Sequence, residues 1–262
     1  MILFTHYGRI GDLIWSLWSC LQRADHRPFD FHMQTNVPDA HDPGHRKTFM
    51  STSDAEFLAS ILREQPYIRN LTIGDKDPVP YADTTKLVDL NRFRTTFDIY
   101  PHIECRHWYE RLFSFKLQGY DKAIFTVPES DIAPTNKLAI CFTERYKPAI
   151  SPMKLEPYKD KLVYVGLKSE WQRFCLNYFD VEYHPVTSMK EMLQYTKKCY
   201  GFVCNICGSF AAHEAAAIPR ILCLPPGGGD CRTYTPNGIG VLDDHKLVKH
   251  VEALLSGGSL AK

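Results

Sequence analysis

One segment near the end of the chain, with the pattern strand, turn, helix, strand, constrains the fold most. Residues 201–219, GFVCNICGSFAAHEAAAIP, begin as an apolar β-type run, turn at Gly208 and Ser209, and continue as an alanine-rich helix. Pro219 ends that helix, and residues 220–224 (RILCL) have the pattern of a buried strand. A helix that starts directly after a strand presents free backbone N–H groups and a positive dipole end, for which phosphate is the usual ligand. An ordinary β–α–β crossover fits equally well, since no complete GxGxxG or GxxxxGK motif is present.

A similar turn lies at the other end of the chain. Residues 2–4 form a short apolar run, residues 5–11 (THYGRIG) form a glycine-bearing loop, and Asp12 opens a strongly apolar helical segment. At this position Asp12 would cap the helix by accepting a hydrogen bond from the backbone two or three residues on. It would also lie at the carboxyl end of a first strand, where an open α/β sheet binds ligands and a general base would be placed. The residues alone leave both roles open.

Composition and charge bound the class of protein. The 262 residues suffice for one large or two small domains, and 44% hydrophobic with 13% aromatic residues is ample for real cores. The 31 basic and 30 acidic residues leave a net charge of +1, so the chain has no overall field that attracts nucleic acid or anionic membrane. A local basic groove is still compatible with this balance.

Apolar runs and cysteines bear on the compartment. No stretch approaches the roughly 20 consecutive apolar residues of a membrane span, and the N-terminus lacks a signal-peptide pattern. The nine cysteines lie mostly inside apolar segments, as is typical of buried thiols in a reducing compartment. We therefore expect a cytoplasmic protein without a membrane span. A zinc site formed by Cys199, Cys204, Cys207 and His213 is not favoured, because no second paired motif follows.

Strands alternate with helices along the chain, which predicts an α/β fold with parallel sheets. The segment PESDIAPTN (128–136) has linker composition, so we predict two Rossmann-like domains, 1–132 and 133–262, facing each other across a cleft. The long polar loop 36–52 is rich in histidine and basic residues and is typical of a binding loop. The predicted strands are 2–4, 29–33, 86–90, 138–142, 162–166, 202–206 and 221–224, and the predicted helices are 12–23, 54–63, 104–117, 170–179, 189–198, 210–217 and one from 245.

Three segments of the chain resemble the ADP-heptose:lipopolysaccharide heptosyltransferase family, inverting glycosyltransferases of the two-Rossmann GT-B fold. The strand and loop followed by Gly11-Asp12 and an apolar helix are similar to the family's N-terminal motif. Residues 106–119 (RHWYERLFSFKLQG) are similar to a family helix with an E-R-x-L-type segment. Residues 188–219 follow without a gap the family's helix, strand and N-D-S-G-x-x-H-x-A-A-A-x-x-x-P pattern. The chain thus resembles a short, divergent member of this family.

The resemblance implies transfer of a sugar, with inversion, from a nucleoside-diphosphate sugar to a hydroxyl of a saccharide or glycolipid. Asp12 would be the base that acts on the acceptor hydroxyl. No DxD-like carboxylate pair lies at a strand end, so we expect no metal ion and no cofactor apart from the donor substrate. The donor-binding residues expected on this basis are Gly11, Arg145, Lys147, Glu170, Asn205, Cys207, Gly208, Ser209, Phe210 and His213.

Several of these donor contacts have a simpler alternative. Arg145 and Lys147 follow a predicted strand where the family has a basic phosphate ligand, but a solvated loop explains them as well. Glu170 would hold the nucleotide ribose or merely cap its helix. Ala211 stands where the family has a histidine, and His213 on the same helix is the candidate substitute. The loop LPPGGGDCRTY (224–234) is expected to border the donor.

Two other classes of function stay open. The same two-domain enzyme would glycosylate a modified, hydroxymethylated DNA base if the segment Arg92-Phe93-Arg94 and the histidine-rich loop contacted phosphates, although the near-neutral charge argues against DNA. A non-catalytic nucleotide-binding module is suggested by Ile206 and Ala211, which replace the family's acidic residue and histidine. Retention of Gly11-Asp12 argues against such a module, because a pure binder needs no base.

Overall fold

The chain was analysed as a computed structural model that describes residues 1–39, 48–78, 85–96, 104–144 and 146–260. Its contacts divide into two compact units, Met1–Tyr120 and Asp121–Lys262. The boundary predicted from composition, between residues 132 and 133, lies further along the chain than this division after Tyr120. The segment after Tyr120 joins the second unit because the N–H groups of Ile124 and Phe125 donate to the carbonyl of Ala215, at 2.8 and 2.9 Å.

A four-stranded parallel sheet forms the first unit, with helices built from apolar segments around it. Its helix after the first strand buries every residue from Leu13 to Cys20, which explains the scarcity of polar residues there. The strands are β1 (Ile2–His6), β2 (Phe29–Gln34), β3 (Ile68–Gly74) and β4 (Lys86–Asp89), in the order β3-β2-β1-β4. The helices are α1 (Ile10–Arg23), α2 (Thr52–Leu62), α3 (Phe93–Thr96) and α4 (Cys105–Phe113), with a 3₁₀ turn at Leu90–Arg92.

The second unit contains a six-stranded parallel sheet whose central strands are buried throughout. Such strands read as continuous apolar runs because helices cover both faces of a parallel sheet. The strands are β5 (Leu138–Cys141), β6 (Leu162–Val165), β7 (Glu182–His184), β8 (Phe202–Asn205), β9 (Arg220–Cys223) and β10 (Gly238–Val241), in the order β10-β9-β8-β5-β6-β7. The helices are α5 (Lys168–Asn177), α6 (Met189–Thr196), α7 (Gly208–Ala215) and α8 (Asp244–Leu255), with a 3₁₀ helix at Pro152–Lys161.

Both sheets reverse their strand order once, and this fixes where a ligand is expected. In the first unit the chain passes from β1 outward to β3 and then returns to place β4 on the other side of β1. In the second unit it passes from β5 to β7 and returns to place β8 on the other side of β5. Open α/β sheets bind ligands at the carboxyl ends of the strands beside such a switch point. The candidate sites are therefore the loops after β1 and β4 and the loops after β5 and β8.

The predicted α/β class with parallel sheets is confirmed. Three strands, β3, β7 and β10, were not predicted from the sequence. The start of α1 also differs, because the helix begins at Ile10 and Asp12 is its third residue. Among the helices that the structure describes, none combines the length and apolar character that crossing a bilayer requires.

Candidate functional site

The loops after β1 and β4 are tied together at the switch point of the first unit. The backbone N–H of Tyr7 donates to Oδ1 of Asn91 at 3.0 Å. Asn91 is itself held by Asp89 at the end of β4, whose Oδ1 accepts from the backbone N–H and the side-chain amide of Asn91, each at 2.8 Å. This framework fixes the position of the loop that leads into α1.

Asp12 lies at this switch point, but it is not the N-cap of α1. The N-cap is Arg9, and the carboxylate of Asp12 reaches back from the first turn, so that Oδ2 accepts from the backbone N–H of Arg9 at 3.4 Å. The same oxygen accepts from Nη2 of Arg94. Among the described residues, Oδ1 of Asp12 has no partner, and the side chain is 20% exposed. One carboxylate oxygen is thus held while the other is available. Gly11, also in the first turn, is half-buried.

Arg94 would contact phosphates in the DNA alternative, but the structure places it differently. Its side chain is only 7% exposed and forms an ion pair with Asp12. The guanidinium lies 4.7 Å from the ring centroid of Phe49 and 4.7 Å from that of Phe93. Since these contacts enclose the charge, Arg94 positions the Asp12 carboxylate and is not part of a basic surface. The proposed histidine-rich DNA contact at 40–47 lies outside the described residues.

A chain of buried hydrogen bonds through His6 and Tyr109 holds the start of α1 in place. The backbone N–H of Gly8 donates to Nδ1 of His6 at 2.8 Å, so the ring proton lies on Nε2, which donates to the hydroxyl of Tyr109 at 3.0 Å. That hydroxyl donates to the carbonyl of Asp12 at 2.9 Å. Burial lowers the pKa of His6 to about 3, so the ring is neutral. Only glycine fits at position 8, because a Cβ there would lie 2.3 Å from Cε1 of His6.

In the second unit, α7 begins at the switch point directly after β8. Cys207 is the N-cap, and its Sγ accepts from the backbone N–H of Phe210 at 3.4 Å. The N–H groups of Gly208 and Ser209 have no acceptor among the described residues. The start of α7 therefore offers two free N–H groups, because the third candidate, that of Phe210, donates to the N-cap. The ring of Phe210 is fully buried and supports the helix from inside.

Asn205, expected at the donor, instead shapes the neighbouring loop. Its side chain is fully buried; Oδ1 accepts from the backbone N–H of Thr143 at 2.9 Å. Its amide group donates to the carbonyls of Thr143 and Tyr146, at 2.7 and 2.6 Å. The amide oxygen and the amide nitrogen of Asn205 thus both hold the loop after β5 against the end of β8. Lys147, on that loop, is exposed, and Arg145 lies outside the described residues.

His213 is a core histidine, so it is not the substitute for the family's phosphate-side histidine. Its ring is fully buried and stacks on Phe202, with centroids 3.7 Å apart. Nδ1 donates to the carbonyl of Ser209 at 2.7 Å, and Nε2 lies 2.8 Å from the hydroxyl of Thr196. Both nitrogens are occupied, which excludes His213 as a donor ligand or a metal ligand in this conformation. Burial lowers its pKa to about 4.

Glu170 lies in the first turn of α5, at the carboxyl ends of β5 and β6. It is the third residue of α5, whose N-cap is Leu167, so it does not cap the helix as an N-cap residue. A Cβ built on Gly166 would lie 3.8 Å from Oε2 of Glu170 and 3.2 Å from Sγ of Cys141 at the end of β5. The carboxylate is half-buried beside the ends of β5 and β6, where a ribose hydroxyl would find an acceptor.

The glycine-rich loop after β9 packs against the segment that joins β8 to α7. The backbone has positive φ at Gly227, Gly228 and Gly229, a conformation that favours glycine. The guanidinium of Arg232 donates to the carbonyls of Gly228 and Gly229. A Cβ on Gly229 would lie 2.6 Å from Cδ1 of Ile206, so the loop packs directly on the residue that follows β8. The sequence predicts this loop at the donor but does not reveal its packing on Ile206.

A buried ion pair fastens the other end of this loop. Glu214 on α7 and Arg220 on β9 are both fully buried and paired. Arg220 also donates to the hydroxyl of Thr235 at 2.6 Å. Oε1 of Glu214 accepts from the backbone N–H groups of Tyr234 and Thr235, at 2.7 and 2.6 Å. Both charges are hydrogen-bonded, and together they fix α7 relative to the loop that follows β9.

The fold was compared with those of known proteins. No family model matches the sequence, and no curated protein matches it. Among solved structures, the glycosyl transferase family 9 protein from Veillonella parvula DSM 2008 has a TM-score of 0.64 and 11% identity, covering 98% of this chain and 97% of that one. The E. coli heptosyltransferase WaaC with ADP has a TM-score of 0.61 and 10% identity, covering 97% of this chain and 99% of that one. The same enzyme with ADP-2-deoxy-2-fluoro heptose has a TM-score of 0.58 and 11% identity, covering 98% and 99%.

These similarities extend over nearly the whole of each chain. They show that the protein has the GT-B-like α/β fold of these glycosyltransferases. They agree with the heptosyltransferase resemblance of its sequence segments at the level of the fold. The activity has to be argued from the site itself, because one fold carries many functions.

Proposed function

We propose that this protein is a glycosyltransferase that moves a sugar from a nucleoside-diphosphate sugar to a hydroxyl acceptor, with inversion at the anomeric carbon. The observation that carries the proposal is the Asp12 carboxylate at a switch point, with one oxygen held by Arg94 and the other available. A similar E. coli enzyme was solved with ADP and with ADP-2-deoxy-2-fluoro heptose, which supports a nucleoside-diphosphate sugar as the donor.

Asp12 acts as the general base. Its Oδ1 takes the proton from the acceptor hydroxyl while the hydroxyl oxygen attacks the anomeric carbon of the donor sugar. The bond from that carbon to the diphosphate breaks on the opposite face, which inverts the configuration. Arg94 keeps the carboxylate in one orientation, and orientation of this kind is a large part of what a general base contributes.

The start of α7 stabilises the leaving group. The nucleoside diphosphate gains negative charge as it departs, and the N–H groups of Gly208 and Ser209 together with the helix dipole face that charge. Lys147 is exposed on the loop after β5 and supplies a cation. Glu170 accepts from a ribose hydroxyl. The role of Arg145 as a second cation stays a prediction from the sequence.

The acceptor is a hydroxyl of a saccharide or glycolipid. The alternative, a hydroxymethylated DNA base, depended in part on Arg94 as a phosphate contact, and that side chain is enclosed and paired with Asp12. The exposed neighbour Arg92 does not by itself form a basic groove. No observation on the described residues favours DNA over a saccharide.

Transfer of a labelled sugar tests this proposal. The protein is incubated with labelled nucleoside-diphosphate sugars and either a lipopolysaccharide-core-type saccharide or hydroxymethylated DNA, with and without excess EDTA. We expect label on the saccharide, undiminished by EDTA and with inverted configuration by NMR. Label on DNA that is lost steeply with salt, about a thousandfold in affinity between about 50 and 200 mM, would replace the acceptor but not the donor site. Absence of transfer with every donor and acceptor would contradict the proposal.

A further inference from the structure

Two segments of the first unit meet at the C-terminal end of α1. The side-chain amide of Gln22 donates to the carbonyl of Lys116 at 3.0 Å. Its Oε1 accepts from the backbone N–H of Gln118, also at 3.0 Å. The segment that follows α4 is thus fastened to the last turn of α1. Residues 22–28 and 111–118 together form a surface that we call the basic end surface.

Unpaired cations dominate the basic end surface. Its two segments contain four arginine or lysine residues and one acidic residue, Asp25. Arg27, Arg111 and Lys116 are exposed, and Arg23 is half-buried. None of these four cations forms an ion pair with any residue that the structure describes. The surface therefore carries a local positive charge, although the whole chain has a net charge of only +1.

Two phenylalanine rings lie among these cations. α4 ends at Phe113, and the next residue, Ser114, has a φ of 54°. This left-handed turn brings Phe115 back beside Phe113, with ring centroids 5.8 Å apart and ring planes 12° apart. The guanidinium of Arg23 lies over the Phe113 ring, 4.7 Å from its centroid. Both rings are only half-buried, so the surface presents apolar area framed by positive charge.

We propose that the basic end surface binds a lipid membrane with anionic headgroups. Clusters of arginine and lysine are attracted to anionic headgroups, and neighbouring phenylalanine rings gain further stability by burial at the boundary with the acyl chains. The apolar stems of the basic side chains lie along the rings while their charged groups reach the lipid phosphates. The stacking of Arg23 on Phe113 is an arrangement of this kind.

The same cations would attract nucleic acid, but the geometry of the rings favours lipid. Proteins bind single strands by stacking bases on free aromatic faces. Phe113 is stacked on Phe115 and covered by Arg23, so it offers a base little free face. Contact with lipid needs apolar area but no free ring face. Four unpaired cations beside two mutually stacked rings therefore fit a headgroup layer better than a row of bases.

The basic end surface and the proposed catalytic base lie at opposite ends of α1. Asp12 is in the first turn of the helix, and Arg23 is its last residue. The two residues are therefore about 16 Å apart along the helix axis, at 1.5 Å per residue. Membrane binding requires neither the donor nor the acceptor, so it is measurable whether or not the proposed transfer takes place.

Co-sedimentation of the full chain with vesicles tests the proposal. Vesicles of phosphatidylcholine alone are compared with vesicles of equal parts phosphatidylcholine and phosphatidylglycerol. We expect binding to the anionic vesicles only, and weaker binding as salt is added, because salt screens the cations. The double variant Arg27→Gln/Arg111→Gln removes two exposed charges. It should weaken vesicle binding about 25-fold, at about fivefold for each cation near an anionic surface.

Two further variants separate this surface from net charge. Lys159→Gln/Lys249→Gln removes two exposed cations of the second unit and should leave vesicle binding unchanged. Phe115→Ala removes apolar area at constant charge and should weaken binding to anionic vesicles about threefold or more.

Three results would overturn the assignment. The first is the absence of binding to anionic vesicles, and the second is equal weakening in the two double variants. The third is binding to a single-stranded DNA oligonucleotide by a protein that ignores the vesicles, which would make the surface a nucleic-acid site. None of these results bears on sugar transfer to a water-soluble saccharide, so the proposed function is tested separately.

Discussion

Arg94 forms an ion pair with Asp12 beyond the carboxyl ends of the paired strands β1 and β4. The two residues come from different segments: Asp12 follows the first strand of the unit and Arg94 follows its last. Because Arg94 is packed between Phe49 and Phe93, it cannot easily follow a moving carboxylate. The pair therefore fixes one oxygen of Asp12 and leaves the other for chemistry.

Asp12→Asn separates catalysis from the structural role of the residue. The amide oxygen of asparagine still accepts from the backbone N–H of Arg9, but the group does not take up a proton. We expect turnover to fall roughly 100-fold or more while nucleotide affinity stays unchanged. Initial rates with labelled donor and calorimetric titration with ADP measure the two quantities.

The matched control is Asp54→Asn. Asp54 occupies the same third position in the first turn of α2 and reaches back to the N-cap in the same way. It should leave turnover unchanged. Unchanged turnover in Asp12→Asn as well would assign Asp12 to the start of α1 alone.

Arg94→Gln tests whether Arg94 positions the base. Glutamine keeps a hydrogen-bond donor but loses the charge and the planar fork, so the carboxylate of Asp12 is free to rotate. We expect kcat to fall at least about tenfold with little change in the KM of the donor, because only the orientation of the base is lost. Arg92→Gln, at the exposed neighbouring position, is the control. A rise in KM alone would show that Arg94 serves donor binding.

The local sequence pattern was sufficient to predict most of the strands and helices. Long apolar runs such as α1, and the strand and alanine-rich helix around Gly208, predict their own conformation. The three strands that were missed lack such a run: β3 has one buried residue among seven, β7 has three residues, and β10 alternates glycine with apolar residues. Each becomes a strand because a neighbouring strand offers a parallel partner, a contact that is remote in sequence.

The positions of the site residues were easier to predict than their partners. Asp12, Gly208 and Ser209 follow from their places at strand ends. The partner of Asp12 was missed because Arg94 lies far away in sequence, although a cation directly after β4 was a usable signal. His213 was misassigned because only packing on Phe202 shows that its ring faces inward.

The buried His213 makes stability depend on pH. Burial holds its pKa at about 4, against an ordinary 6.5, so the unfolded chain binds a proton that the folded chain does not in the interval between these values. Stability therefore falls as pH drops through this interval, by about 1.4 kcal/mol per unit and roughly 3 kcal/mol in all. In His213→Gln the loss between about pH 7 and pH 5 should be smaller by about 2 kcal/mol, as measured by urea unfolding. The exposed His245→Gln should keep the wild-type slope.

Glu214→Gln tests the buried ion pair that fastens the glycine-rich loop. The substitution leaves the charge of Arg220 buried without its counter-ion, so the free energy of unfolding should fall by about 3–5 kcal/mol. Glu252→Gln, which weakens an exposed hydrogen bond from Tyr158, should change it by no more than about 0.5 kcal/mol. Equal effects in urea unfolding would show that the pair does not hold the loop.

Binding of a nucleoside diphosphate at the start of α7 is the most direct measurement. ADP at about 100 times its Kd should raise the free energy of unfolding of the wild-type protein by roughly 2.7 kcal/mol. Gly208→Val places a β-branched side chain beside the free N–H groups and should abolish this gain. Asp244→Val, at the matching first position of α8, should retain it. Stabilisation that is absent with ADP, UDP, GDP and CDP alike, or that survives in Gly208→Val, would contradict a donor site at this turn.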